Sequence, residues 1–375
     1  MQKPPLVWIP VLVFTITSLI TLFAVPAYAF THGFDAWQVI AMVIGVIFCE
    51  ISITAGYHRL WSHRAYEAHW LVRLVLAIGG TFAAQNSILH WSSDHRRHHR
   101  YVDDNQKDPY SAKRGFWYSH IGWMLRDYAI DHDSEYKNCR DLQNDPIVMW
   151  QHRHYLPLVL AVNFGIPILL GLWHGDVLGM LLLVGVVRLV ISHHLTFLIN
   201  SLAHIWGRQP YSDQNSSKDN GVLAFLTMGE GYHNYHHNFQ RDYRNGIRWW
   251  QFDPTKWLIR SLAWLGLAKN LYRTPIEKIE MARAQMLLTV TSRKLENVPN
   301  AEALMHRLQM EYETLLTKIN QFSLANKQWM EVKKKSVMQE MEGYDLDALK
   351  EKVEMLKRTF LEQKKNWLML NAQIA

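Results

Sequence analysis

The clearest pattern in the sequence is a set of long apolar runs confined to the first 270 of its 375 residues. A helix needs roughly 20 apolar residues to cross a membrane. The run near the start ends in Ala27-Tyr28-Ala29, which is typical of a signal-peptide cleavage site. The run is, however, longer than the apolar region of a signal peptide. We therefore expect it to be a retained helix. We predict four transmembrane helices in two hairpins, at about residues 6–30, 37–57, 156–173 and 177–199.

The basic residues predict how these helices are oriented. The connectors at residues 31–36 and 174–176 contain no Lys or Arg, whereas the segment His58–Tyr155 is rich in both. Because cytoplasmic loops carry the excess of Lys and Arg, we expect that segment and both termini on the cytoplasmic side. In a bacterium the membrane would be the inner membrane.

A fifth apolar stretch, Leu71–Leu89, is nearly long enough to span a membrane, but it contains Gln85 and Asn86. A span here would place His58 on the opposite membrane face from His95, and the chemistry considered below needs the two together. We therefore expect this stretch to be buried in the fold or to lie at the membrane interface.

From residue 271 onward the chain is charged and has a helical period. Thr274-Pro275-Ile276-Glu277 is typical of a capping box with Pro at the first helical position. Pro299 and the stretch Met341–Asp345, with Gly343, interrupt the pattern. Apolar residues follow heptad spacing loosely at Leu304, Leu308, Leu315, Ile319 and Phe322, and more strictly at Leu346, Leu349, Val353, Leu356, Phe360 and Trp367.

These patterns divide the chain into a membrane domain, residues 1–270, and a soluble helical extension, residues 271–375. We expect the extension to be a helical hairpin or coiled coil. Packing, oligomerisation and the docking of a partner all remain open as its role.

Composition limits the chemistry. The two cysteines, Cys49 and Cys139, form no CxxC, which argues against a thiolate zinc site or a Cys-ligated iron–sulfur cluster. The net charge of +7 fits a membrane protein facing anionic lipid. No basic patch with interleaved aromatic residues stands apart from the apolar runs, so nucleic-acid binding is not expected.

Eight of the 20 histidines form three tight clusters. Because residues at i, i+3 and i+4 share a helix face, we expect each triplet to direct three imidazoles to one point. Eight imidazoles are too many for one metal ion and suit two. The clusters are His58 and His63; His95, His98 and His99; and His233, His236 and His237.

The location of the histidine clusters beside a membrane indicates which metal they bind. Zinc is redox-inert, whereas iron with O2 can oxidise an unactivated C–H bond of a lipid. We therefore expect two iron ions with O2 as co-substrate. The predicted fold class is an all-α integral membrane protein whose cytoplasmic helical cap holds a dinuclear metal site.

Three motifs between Gly56 and Leu258 closely resemble those of the membrane fatty-acid desaturases of the stearoyl-CoA Δ9 type. They are GYHRLWSH at residues 56–63, the segment Asp94–His99, and GEGYHNYHH at residues 229–237. The segment from Asn200 to His204 also matches.

The resemblance implies further site residues. It makes His204 a ninth ligand, Asn200 a ligand through a water molecule, and Gln85, Trp91 and Thr196 the residues that bend the acyl chain. Without the resemblance, His204 would be an ordinary helix-end residue, and the last three would be core residues.

The resemblance also implies the reaction, in which a cis double bond, at Δ9 by family analogy, enters a saturated long acyl chain. The chain contains no GxGxxG, CxxC or recognisable haem domain, so electrons would come from a separate ferredoxin-like or small haem-protein donor with its reductase. Ser93, Asp127 and Tyr128 stand where the animal enzymes carry CoA-binding basic residues, so an acyl-lipid or a carrier-bound chain is an alternative to acyl-CoA.

Two other functions remain open from the residues alone. A hydroxylase could use the same di-iron scaffold. A non-catalytic membrane metal-binding protein is the other, and the concentration of histidines at one end of the helices disfavours transport.

Overall fold

The structure is a computed structural model that describes residues 4–128, 134–296, 298–337 and 345–374. The chain divides into two compact units. The first comprises Met1–Arg208 and Gln214–Arg273, and the second comprises Gln209–Asp213 and Thr274–Ala375. Helices dominate both units, as the predicted all-α class requires.

Among the described residues of the first unit, four helices are long and apolar enough to cross a membrane. They correspond to the four predicted runs, and the second and fourth continue further along the chain than predicted. The first span is Trp8–Thr31, the second is Ala36–Ser62, the third is Tyr155–His174 and the fourth is Val177–Ile205.

The apolar stretch Leu71–Leu89 is not one helix. The chain leaves helix Trp70–Phe82 through Ala84 and Asn86, which have φ of 52° and 76°, before helix Ile88–Tyr101 begins. With 13 residues, Trp70–Phe82 is too short to span a membrane. The expectation that this stretch does not cross is therefore confirmed.

Two glycines bring Trp70–Phe82 close to the second span. A Cβ on Gly80 would lie 2.2 Å from Cε1 of Tyr57, and one on Gly79 would lie 2.0 Å from Oγ of Ser52. Because no side chain fits in that space, the close approach depends on glycine. This packing supports the segment of the second span that carries His58.

Shorter elements complete the first unit. Glu67–Ala68 pairs antiparallel with Ala268–Lys269, so the chain just after the second span is joined to residues near the end of the first unit. The remaining helices are Ala112–Arg114, Tyr118–Gly122, Trp123–Leu125, Ser134–Cys139, Arg140–Gln143, Pro146–Arg153, Gly221–Leu226, His233–Asn238 and Pro254–Trp264.

The described part of the second unit contains three helices, Ile276–Leu295, Glu302–Val337 and Leu346–Ile374. Its core confirms the heptad prediction at the positions that it buries most fully, which are Leu308, Leu315, Ile319, Phe322, Val353, Phe360 and Trp367.

The predicted start of this unit was wrong in detail. Ile276–Leu295 begins one residue after Pro275, which occupies the N-cap with ψ of 139°, and no side chain caps the helix. The extended ψ of Pro275 keeps it outside the helix, so the expected capping box does not form. Pro299 lies between the first two helices, and residues 341–344 of the predicted interruption lie outside the described residues.

Candidate metal centre

Nine histidines of the first unit converge in two adjoining groups. Within each group the ligand atoms all lie within 4.8 Å of one another. The five-histidine group is His58, His63, His95, His99 and His236, and the four-histidine group is His98, His204, His233 and His237.

The first histidine pair owes its geometry to a π-helical segment, Ser52–Ser62, at the end of the second span. A π-helix closes its turns with i to i+5 hydrogen bonds. His63 N–H donates such a bond, of 3.0 Å, to the carbonyl of His58. A spacing of five therefore places both imidazoles on one side of the helix.

The two triplets do not each point to one site as predicted. His95 and His99 of helix Ile88–Tyr101 enter the five-histidine group, whereas His98 enters the four-histidine group. On helix His233–Asn238 the division is reversed, because His236 alone joins the five-histidine group. Each triplet lies between the two groups, so its neighbouring residues face different sites.

His204 and Asn200 lie where the fourth span ends. The helix is interrupted at Ser201, whose ψ of −72° and φ of −107° separate Val177–Asn200 from Leu202–Ile205. His204 is a member of the four-histidine group, and Asn200 borders the cavity beside both groups. The structure thus brings both residues to the centre, although no continuous helix face joins them.

The donor set fits a pair of cations. In the five-histidine group Nε2 of His58 lies 2.9 Å from Nε2 of His236, and Nε2 of His63 lies 2.8 Å from Nε2 of His95. In the four-histidine group the His204–His233 distance is 3.2 Å. Unprotonated ring nitrogens this close direct lone pairs at one another, and a metal ion between them turns that repulsion into ligation.

Burial also keeps most of these imidazoles neutral, as metal ligation requires. Removal from water, followed by the charges of neighbouring histidines, holds the pKa of six ligands outside the spans well below its ordinary value. This applies to His63, His95, His99, His233, His236 and His237.

Outer partners orient several ligands through Nδ1. The Glu230 carboxylate lies 3.0 Å from Nδ1 of His58, and the Asp108 carboxylate lies 2.9 Å from Nδ1 of His98. Ser216 Oγ lies 2.8 Å from Nδ1 of His204. Such bonds leave Nε2 as the metal-binding atom and raise its basicity.

Glu230 is itself held by a buried network. Arg59 donates to its Oε1 at 2.9 Å, and Asn245 Nδ2 donates to its Oε2 at 2.7 Å. Burial alone would raise the pKa of Glu230, but the charges and hydrogen bonds of His58 and Arg59 lower it below its ordinary value. The carboxylate is therefore ionised where it meets His58.

The three predicted acyl-chain residues lie around the same centre. Gln85 Nε2 donates a hydrogen bond of 2.8 Å to Oγ1 of Thr196. The Trp91 ring stacks on His95 with a centroid separation of 4.8 Å, and Trp91 and Thr196 both border the cavity beside the histidines.

Sequence reasoning gave no role to the outer partners Glu230 and Asp108, nor to Glu50, a buried acid of the second span. Glu230 lies inside a motif that was recognised, three residues before His233. Glu50 carried its own signal, because it is the single acidic residue of Ala36–Ser62, and ionisable residues within membrane spans are costly.

Comparison with known proteins agrees with this geometry. The fatty acid desaturase family model matches residues 35–268, which contain every histidine of both groups.

Individual relatives extend the comparison. A probable acyl-CoA desaturase of Schizosaccharomyces pombe is 45% identical over 267 residues, which are 70% of this chain and 55% of that protein. Acyl-CoA desaturase 1 of Saccharomyces cerevisiae is 46% identical over 63% of this chain and 46% of its own. Stearoyl-CoA desaturase 5 of Bos taurus is 38% identical over 63% of this chain and 71% of its own.

This chain spans about half the length of the two yeast relatives. The family match covers more than half of this chain, and it includes the second, third and fourth spans. The chain therefore belongs to the fatty acid desaturase family.

Proposed function

We propose that this chain is an O2-dependent fatty-acyl desaturase that introduces a cis double bond, at Δ9, into a saturated long acyl chain. The observation that carries the proposal is the adjacency of two all-histidine groups to a cavity bordered by Trp91 and Thr196. The names of the relatives, acyl-CoA and stearoyl-CoA desaturase, support the same reaction.

The nine histidines would hold two iron ions, and iron supplies the oxidising chemistry with O2 that an unactivated C–H bond requires. The protein's own groups set the geometry. Glu230 and Asp108 fix the rings of His58 and His98 through Nδ1. All nine ligands are mostly or wholly buried, which excludes bulk water from the reacting carbons.

The position of the double bond would be set by how the acyl chain lies relative to the metals. The Gln85–Thr196 hydrogen bond joins the connector before helix Ile88–Tyr101 to the fourth span, beside the cavity. A fixed kink in the acyl chain at this point would set which carbons face the metals. Selectivity for the Δ9 position would thus come from the Gln85–Thr196 pair beside the cavity.

The form of the substrate is acyl-CoA or an acyl-lipid. Ser93 donates a hydrogen bond of 2.8 Å to Oδ1 of Asn138, so a neutral, already bonded group stands where the animal enzymes have Arg. Arg114 remains nearby in sequence, stacked over Tyr118 and Tyr128 at 3.7 Å and 4.5 Å from the ring centroids.

The remaining partners follow from the reaction. The chain would lie in a lipid bilayer with the metal centre and both termini on the cytoplasmic side, which the excess of Lys and Arg between residues 58 and 155 supports. A ferredoxin-like or small haem-protein donor with its reductase would deliver two electrons per double bond.

Expression in a desaturase-deficient cell, followed by fatty-acid profiling, tests the proposal. We expect monounsaturated acyl chains from the natural sequence and none from His236→Ala. A hydroxylated product without unsaturation would show a hydroxylase instead, and product from His236→Ala would overturn the ligand assignment.

A further inference from the structure

Glu50 is a fully buried acid of the first unit. It lies in the second span and is 0% exposed, and among the described residues neither carboxyl oxygen has a hydrogen-bond partner. Burying a carboxyl without a hydrogen-bond partner is unfavourable, because the group loses its hydration and gains nothing in return. Such a residue is expected to have a use that offsets this cost.

Its position indicates that use. Glu50 borders the cavity that is also bordered by His58 and His95 of the five-histidine group and by His98 and His233 of the four-histidine group. It belongs to neither ligand group. Glu50 therefore borders the same cavity as both ligand groups without being part of either.

The second carboxyl and the two threonine hydroxyls that border this cavity are already hydrogen-bonded. Glu230, the second carboxyl on the cavity wall, is bound to His58, Arg59 and Asn245. Thr54 lies 2.6 Å from Thr255 through their hydroxyl oxygens.

The metal ligands on the cavity wall are ill suited to be the acid, because a histidine must keep its metal-binding nitrogen unprotonated to hold the metal. His58 and His98 contact the carboxylates of Glu230 and Asp108 through Nδ1, and their Nε2 atoms face the metal sites. Releasing a proton from Nδ1 would disturb the ligand that it orients. Among the described residues on the cavity wall, Glu50 is the acid that can gain and lose a proton without breaking a bond of the centre.

The proposed reaction needs such an acid, and the following inference rests on that reaction. One CH2–CH2 unit, one O2, two electrons from the reduced carrier and two protons give one CH=CH unit and two water molecules. Two hydrogens leave the acyl chain, and the other two protons come from solvent. A buried centre needs a group that passes them inward.

We propose that Glu50 is the internal proton donor of this centre: its carboxyl releases a proton into the cavity and regains one from solvent, twice in each turnover. Oxygen reduction stays coupled to double-bond formation when these protons arrive in time. Without them, oxygen that has gained two electrons would leave the site and take its two protons from bulk water, appearing as hydrogen peroxide.

The test compares the natural full-length protein with Glu50→Gln, which keeps the size and hydrogen-bonding capacity of the side chain but has no acidic proton. Glu280→Gln is the matched control, because Glu280 is a buried acid of the second unit. Four quantities are measured: iron per chain, double bonds formed per electron pair, peroxide released, and the infrared band of a protonated carboxyl.

We expect Glu50→Gln to keep its iron, to lose a carboxyl band that the natural protein and Glu280→Gln both show, and to form double bonds about 100-fold more slowly or worse, with peroxide released instead. Unchanged rate and coupling would overturn the inference. So would a loss of iron, which would make Glu50 a metal ligand, or a change in the preferred acyl chain with coupling intact, which would make it a substrate contact. If the natural protein forms no double bond, the proposed function fails, whereas normal desaturation by Glu50→Gln refutes only the role of Glu50.

Discussion

The Glu230 carboxylate lies 3.0 Å from Nδ1 of His58 and thereby joins the third histidine motif to the first. The same carboxylate accepts hydrogen bonds from Arg59. One buried acid thus positions a metal ligand and the guanidinium beside it.

Glu230→Gln removes the charge from this contact while keeping its shape. Loss of an outer partner weakens metal binding about 10- to 100-fold. We therefore expect lower iron retention after dialysis against a chelator, measured by elemental analysis. Glu280→Gln, in the second unit, should retain iron like the natural protein, and equal retention by Glu230→Gln would contradict the orienting role.

The division of each histidine triplet between two groups gives a second prediction. His236→Ala removes a ligand of the five-histidine group, and His237→Ala removes one of the four-histidine group. Each variant should bind close to one iron per chain instead of two. His120→Ala is the control, because His120 contacts His194 and Ser201 and belongs to neither group. Two irons in either variant would refute the assignment.

The Gln85–Thr196 hydrogen bond predicts a coupled effect on product position. Gln85→Leu and Thr196→Val each break the bond of 2.8 Å. We expect each to spread the double bond over neighbouring carbons with iron content unchanged, and the double variant to resemble either single one, because the two side chains act as a pair. Mass spectrometry of derivatised products locates the bond. Additive effects, or an unaltered Δ9 product, would show that the pair has no part in positioning.

Acid should destabilise the metal-free protein. Burial holds the pKa of six ligands, His95 and His236 among them, well below the ordinary 6.5, so the folded chain binds fewer protons than the unfolded chain. The stability that depends on neutral imidazoles is fully present above pH 6.5 and is lost as pH falls below it, by up to about 1.4 kcal/mol per pH unit for each histidine.

Thermal unfolding in detergent between about pH 7.5 and 5.5 checks this. The Tm of the natural protein should fall on acidification, and His236→Ala should show a shallower fall. A Tm that stays constant or rises on acidification would mean that these histidines are not held neutral.

The second unit should lose stability when a large side chain is removed from its core. Trp367 is 1% exposed, and replacing a buried Trp by Ala costs about 3–5 kcal/mol. We expect Trp367→Ala to make the extension sensitive to proteases while iron binding persists. Leu368→Ala, at a residue that is 49% exposed, should behave like the natural chain. Loss of iron in Trp367→Ala would show that the extension supports the metal centre.

Local sequence patterns were sufficient to predict the four membrane spans and the buried positions of the second unit. Apolar length predicted the four spans, and heptad spacing predicted Leu308, Phe360 and Trp367 as buried. Both features are periodic and depend on neighbours a few residues away.

The division of the histidines could not be predicted in this way. Helical spacing puts His95, His98 and His99 on one face, but whether they reach one metal or two depends on where helix His233–Asn238 packs. The π-helical turns that unite His58 and His63 depend in the same way on tertiary packing, against Gly79 and Gly80. Glu50 was missed because a single acid in an apolar run adds little to a hydropathy pattern.

Reconstitution of the metal-free protein with a single metal tests the central claim most directly. The protein is loaded with iron or with zinc, supplied with a saturated acyl-CoA, O2 and a chemically reduced electron carrier, and its acyl products are analysed by mass spectrometry. We predict two irons per chain and a cis-monounsaturated product from the iron form, and no product from the zinc form. Unsaturated product from the zinc form, or only saturated or hydroxylated chains from a protein that holds two irons, would contradict the account.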